Sequence, residues 1–588
     1  MAALFTTPKR NDKTSGAHFA EPDVRRRTLL AHGSWRRVTR HIVVGAVCAL
    51  TVSSLLMPSV SLAAEWVDVG GTQYYAAAGD EAGTWSWDGA DDMKLSGYDG
   101  GTIKAAGKLN LSYGGVNTVT NNNGRGILVE DGANENAELN IQGGASDTLN
   151  VTSSSDAIIS IGDINIDGAG TVNATSTGFD AIDAKGDLTI KGSGNVNATG
   201  DSDGIRAGGN ITIDNSGTVT AKAFEEKGIQ ANENLTVKGG GKVEASSIED
   251  EAIWAKTNID ISGGSQVKAS SEEDYAVKAK GSLTVSNASL NATGIGYGIY
   301  VYEGITLDGA TVTVRASSDS DEVLALYTDE DDIVIKNGST VDAFAEGRFS
   351  VAISTRNSST NGAGGHIYIS DSVVKAIARY VESGSDGPDH YSNDQDGETI
   401  PEPEGLNIGI YAQTYEGITP ATISIVRSRV TAEGDTAAIF ALAIREDGEA
   451  IGTIEIKDAT IQTPAGGKVI DYRNEEELSD GIAYEAGQTI GTGDATIDSP
   501  YDAAVAKSTV IAPPEETKPE EKPGEAKPES PKSEDTKTTR TVAVAATEAK
   551  TTGKLAATGD ASSSVIVATA LAGTAAIAAG AVINRKRS

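Results

Sequence analysis

Thiols and imidazoles are almost missing from this chain. Its one cysteine is Cys48, and three of its five histidines (His18, His32 and His41) precede it, which leaves only His366 and His390 beyond. A disulfide within the chain and Cys-ligated zinc are therefore excluded, and a His-based metal site or a Ser-His-Asp triad has little to draw on. Aromatic residues make up 5% and hydrophobic residues 38% of 588 positions, too little for one large globular core, whereas glycine supplies 68 residues. An elongated, turn-rich chain is the expectation. Positive charge is also scarce: 48 Lys and Arg face 83 Asp and Glu, a net charge of −35. Such a surface excludes nucleic acid as a partner and leaves cations, neutral or amino-sugar glycans and basic protein patches.

Long apolar runs occur only at the two ends. The first, Ile42 to Leu62, follows nine basic residues and closes on Ser61-Leu62-Ala63. Basic, apolar and small-residue segments in that order read as a secretory signal over 1–63, cleaved after Ala63 or Ala64, which makes the export machinery a partner. An uncleaved membrane anchor is the alternative. The second run, Val565 to Ile583, is followed by Arg585-Lys586-Arg587, the pattern of a membrane span held by a positive stop. Just ahead of it stands Leu555-Ala556-Ala557-Thr558-Gly559. This pentapeptide resembles sortase signals of the LPXTG kind, in the LAXTG variant of class E sortases of high-GC Gram-positive bacteria. The resemblance implies that Thr558 is acylated by a sortase and joined to peptidoglycan, while everything from Gly559 onward is discarded. A plain transmembrane anchor is the alternative for 555–588. Either way the protein is expected at the outer face of the cell. The leader carries nine basic and three acidic residues and the tail three basic and one acidic, so −35 becomes −43 in the mature chain.

Between the ends the chain repeats itself every 22 to 24 residues, most clearly from Ile164 to Leu307. Leu188-Thr-Ile190, Asn195-Val196-Asn197-Ala198 and Gly204-Ile205-Arg206-Ala207 recur as Ile211-Thr-Ile213, Val219-Thr220-Ala221 and Gly228-Ile229-Gln230-Ala231, and the next two units follow the same pattern. Three short alternating runs separated by Gly, Asn and Ser read as three strands per turn of a solenoid. The fold expected is all-β, a right-handed parallel β-helix over 109–470. Its first-strand column runs Leu109, Leu139, Ile164, Leu188, Ile211, Leu235, Ile259, Leu283, Ile305, Ile333, Ile367, Ile423, Ile454. Thirteen coils at about 4.8 Å each give a rod of roughly 60 Å. Trp66, Tyr74, Tyr75, Trp85, Trp87 and Tyr98 are expected to cap the open strand edges within 64–108, and 471–512 to cap the other end. An acidic loop, Tyr380 to Gly405, should project from the coils. A Pro/Glu/Lys-rich linker, 513–554, carries six prolines and should act as an extended, disordered stalk.

Outward side chains of a β-helix stack in columns. One column is acidic: Asp201 and Asp203, Glu225 and Glu226, Glu249 to Glu251, then Glu272, Glu273 and Asp274. Carboxylates one coil apart repel unless solvated or bridged, and calcium is the natural bridge. The calcium candidates are Asp201, Asp203, Glu249, Asp250, Glu272, Glu273 and Asp274; a solvated acidic face is the plainer reading. The neighbouring column, on the third strand, runs Asp183, Arg206, Gln230, Trp254, Lys278, Tyr300, with Tyr411 and Phe440 further on. Exposed Trp254 and Tyr300 flanking Lys278, with Arg206 nearby, suit stacking on sugar rings; isolated surface aromatics are the alternative.

The repeat, the acidic outer surface and the opening segment Trp85-Ser-Trp87-Asp-Gly-Ala-Asp-Asp-Met-Lys-Leu-Ser-Gly-Tyr98 resemble the carbohydrate-binding β-helix proteins of Gram-positive cell surfaces, relatives in fold of pectate lyases. The resemblance covers roughly Trp85 to Ile470 and implies binding of a polysaccharide or glycoconjugate, with calcium as a helper ion. The expectation is a non-catalytic, wall-anchored adhesin. A polysaccharide lyase or hydrolase would need a carboxylate cluster and a base, for which Arg206 and Lys278 are the only nominees, and coils that copy one another argue against it. A passive stalk or coat protein is the third reading.

Overall fold

In a computed structural model, the structure describes residues 64–514 apart from 133–136, 319–321, 358–363, 382–391, 394–398, 401–406, 416–420, 445–451, 474–477 and 484–505. The leader, the stalk, the 555–559 pentapeptide and most of the 380–405 loop lie outside the described residues. The described residues belong to one compact unit, Met1–Glu516, and every regular element among them is a strand. No helix among them is long and apolar enough to cross a membrane.

The strands form a right-handed parallel β-helix with three sheets. In the first sheet, strands from Lys108–Gly114 to Thr453–Lys457 pair in parallel, each with its counterpart one coil on. All thirteen apolar positions named above fall in one register column, from Leu109 opposite Leu139 through Ile333 opposite Ile367 to Ile423 opposite Ile454. The period-two alternation forces this: a one-residue slip would turn every Leu and Ile of a strand to solvent. Burying each such side chain contributes about 1.5–3 kcal/mol.

Small side chains line part of the interior along the second and third sheets, where alanine recurs from coil to coil. Ala198, Ala221 and Ala245 stack in the second sheet, and Ala207, Ala231 and Ala255 in the third, each at 2% exposure or less. Asparagine ladders bind coil to coil at the surface: Asn165 donates to Asn140 and Asn140 to Asn110, while Asn258 donates to Asn234 and Asn234 to Asn210, at 2.9–3.2 Å. The corner after the first strand is tight. Gly192 has φ +103, and a Cβ there would lie 2.3 Å from the carbonyl oxygen of Gly168 one coil back.

Antiparallel strands flank the stack at both ends. Trp66–Val69 pairs with Ile103–Ala106, and Trp85–Trp87 with Asp92–Ser96, which itself pairs in parallel with Lys108–Gly114 and so adds one strand to the thirteen counted in the sequence. Trp85, Trp87 and Tyr98 are buried there, Tyr74 packs on Trp85, and Tyr75 is exposed. At the far end Leu478–Ala483 and Ser508–Ala512 add antiparallel to the third and second sheets.

Candidate functional site

The outer face of the third sheet carries the chemistry. In the early coils its strands are short (Ile182–Ala184, Ile205–Ala207, Ile229–Ala231), so each coil presents one outward residue within the strand and another two residues before it; from Tyr297–Val301 on, the strands lengthen to include both positions. The in-strand column runs Leu128, Ile159, Asp183, Arg206, Gln230, Trp254, Lys278, Tyr300, Tyr327, Ser354, Tyr411, Phe440. The preceding column holds Asp156, Asp180, Asp203, Lys227, Glu251 and Tyr275, because backbone N–H groups of the following residues reach the carbonyls of Asp180, Asp203, Lys227, Glu251 and Tyr275 one coil on. It continues as Tyr297, Leu324, Val351 and Ile408. Alanine or glycine always follows in this column, which lets the chain turn inward beside its neighbours.

In the early coils these columns are charged and closed to solvent. Asp156, Asp180, Asp183, Asp203 and Glu251 are all buried. Arg125 donates to Asp156 at 2.9 Å, Lys185 pairs with Asp183, and Arg206 lies 3.6 Å from Asp180 and 3.9 Å from Asp203. Asp203 accepts the backbone N–H of Lys227 at 2.9 Å and donates its own N–H to Asp180 at 3.0 Å. The Gln230 amide lies 2.9 and 3.2 Å from the two Asp203 oxygens, so its nitrogen is the group that faces them. Burial, with the charge of Asp180, pushes the Asp203 carboxyl up to about 7; burial pushes Asp180 up to about 6. Lys227 bridges Asp250 at 2.5 Å, Glu226 at 3.1 Å and Glu251 at 3.7 Å, and Lys278 reaches Glu251 at 2.5 Å. Burial and the neighbouring Asp250 hold Glu251 above the usual carboxylate range.

In the later coils the same columns turn aromatic. The rings of Tyr275, Tyr297, Tyr300 and Tyr327 lie 4.6–6.0 Å from one another in successive pairs, and Tyr411 stacks on Phe440 at 6.3 Å. Polar groups fix their edges. Tyr297 donates to Glu322 and Tyr327 to Asp329, each at 2.8 Å, and Arg356 donates to the same Asp329 oxygen. Beside Tyr327 and Tyr411 an open groove is lined by Leu324, Val351, Ile408 and Arg356.

The structure therefore separates the residues that the sequence grouped. Trp254 and Tyr300 share one column with Arg206 and Lys278, as read. Neither aromatic is exposed as expected: both are half-buried, because side chains one coil above and below cover them. Trp254 has no aromatic partner among the described residues, whereas Tyr300 sits within the tyrosine cluster. Arg206 and Lys278 are committed to carboxylates, and Lys278 also lies 4.6 Å over the Tyr275 ring. The acidic column divides. Asp203 is buried and Asp201 half-buried; Glu249, Glu272 and Glu273 are exposed; Asp250 and Asp274 meet Glu251 with one oxygen each within 4.8 Å. For calcium the last group is a poor fit, since the ammonium groups of Lys227 and Lys278 already sit against its oxygens. Sequence reasoning passed over Asp156, Asp180, Tyr275, Tyr297 and Tyr327. The available signal was an acidic or tyrosine side chain, then Ala or Gly, then Ile or Val, as in Asp156-Ala-Ile158, Asp180-Ala-Ile182 and Tyr297-Gly-Ile299.

Comparison with known proteins returns no match: no protein-family model, no curated protein and no solved structure matches this chain. What defines its class is the fold itself, a parallel β-helix with a columnar outer face.

Proposed function

We propose that the protein is an exported, cell-wall-anchored adhesin whose third-sheet outer face binds polysaccharide without cleaving it. The observation that carries the reading is the cluster of half-buried Tyr275, Tyr297 and Tyr300 seated against the buried Tyr327, with half-buried Phe440 against the buried Tyr411 beyond Ser354, bordered by Glu322, Asp329 and Arg356 and by an open groove. Aromatic faces beside charged hydrogen-bonding groups suit sugar rings. Trp254, two coils before Tyr300, extends the platform toward the acidic coils. Calcium is proposed as a helper ion, and sortase, peptidoglycan and the export machinery as the partners that place the protein at the surface.

Access argues against catalysis. Asp203 and Glu251 have the raised pKa values that a general acid needs, yet they are 1% and 3% exposed and stand under Gln230, Lys227 and Lys278. A general acid must reach the oxygen it protonates. The test is retention of the mature chain on neutral, amino-sugar and acidic polysaccharides, with calcium and with chelator, scoring shortened products alongside binding. Retention without products is expected; products would make it an enzyme, and no retention on any polysaccharide would end the reading.

A further inference from the structure

We propose that Asp156, Asp180 and Asp183 form a binding site for a single hard divalent cation, calcium by its chemistry, that ties two consecutive coils together. One oxygen from each carboxylate lies within 4.8 Å of the others, and the three residues are 6%, 5% and 1% exposed. Oxygens at 2.3–2.6 Å from a common calcium ion fall within that separation, whereas an all-oxygen donor set offers nothing to a softer metal.

The second observation is Asp183 itself. Its Oδ2 pairs with Lys185, while its Oδ1 is shut off from solvent and has no hydrogen-bond partner. A buried carboxylate oxygen left bare among like charges is costly, and either a cation or a proton must offset it. The cations already there do not bridge the cluster. Arg125 takes one oxygen of Asp156, Lys185 one of Asp183, and Arg206 stands beyond hydrogen-bond distance of Asp180, at 3.6 Å. The cluster of Asp250, Glu251 and Asp274 shows the contrast, because there Lys227 spans two of the carboxylates and fills the place a metal would take. The site is distinct from the aromatic platform and does not depend on glycan binding.

Calorimetric titration of calcium chloride into the chelator-stripped mature chain tests this, with wild type beside Asp183→Asn and Asp250→Asn. Wild type is expected to take up a single ion and Asp250→Asn to match it. Asp183→Asn should bind about tenfold more weakly or not at all. Calcium should raise the unfolding midpoint of wild type and leave that of Asp183→Asn unmoved. Asp180→Asn serves as the second variant if Asp183→Asn does not give the native circular dichroism spectrum. Absence of uptake by wild type, uptake that survives in Asp183→Asn, or uptake lost only in Asp250→Asn would each overturn the site.

Discussion

The coils from Asp156 to Lys278 and those from Tyr297 to Phe440 share one backbone plan, yet the outer faces they build on the third sheet differ. The early coils hold carboxylates in the column before the strand and close them with Arg206, Lys227 and Lys278. The later coils hold Tyr297, Leu324, Val351 and Ile408 in that same column and pack it as a second apolar cluster outside the main core. Lys278 stands at the junction, bonded to Glu251 on one side and lying over the Tyr275 ring on the other. Neighbouring coils thus cover the outer face of the same sheet by charge pairing in one stretch and by ring packing in the next.

The largest effect should come from the aromatic side. Tyr327→Ala removes a 4%-exposed ring and its bond to Asp329, and we expect a loss of about 3–5 kcal/mol in urea unfolding, insensitive to salt. On the charged side, Lys227→Met leaves Asp250 and Glu251 without their bridge and should cost about 3 kcal/mol. If both losses respond to salt alike, the distinction between the halves fails.

A smaller effect separates them by pH. Glu251 holds its proton to higher pH folded than unfolded, so the folded state binds more protons and stability falls as pH rises from its ordinary carboxylate range through the raised folded value. The unfolding midpoint should therefore decline between about pH 5 and about pH 8, with Asp180 and Asp203 adding to the slope; Glu251→Gln should make that decline shallower, whereas Tyr327→Phe should leave it unchanged. The smallest effect on stability, under about 1 kcal/mol, is expected for the half-buried Trp254→Ala. On the proposed function it and Tyr300→Ala nonetheless weaken polysaccharide retention; unchanged retention in both would remove Trp254 and Tyr300 from the platform.

Much of the architecture was legible before any coordinates. The column from Leu109 to Ile454 could be counted because the unit recurs and alternation is local. The outward column was read correctly from Asp183 to Tyr300 and again at Tyr411 and Phe440, but Tyr327 and Ser354 were skipped. Spacing widens after Leu307, and once the period drifts, equivalent positions cannot be found by counting. Exposure was misread for a different reason. Alternation says that Trp254 and Tyr300 point away from the core, but not that side chains about 4.8 Å above and below will cover them. The acidic column divided on the same ground: Asp203 and Glu251 lie two residues before the strand, where the chain turns inward, while Glu249, Glu272 and Glu273 lie further out.

The sequence by itself determined the parallel β-helix and its inward columns, because in-register stacking is a nearest-neighbour property repeated in every unit. Only the tertiary structure decided which outward charges are buried and paired and which rings touch. Those contacts join residues such as Lys227 with Asp250 and Lys278 with Glu251, 23 and 27 positions apart, whose meeting depends on side-chain reach between coils.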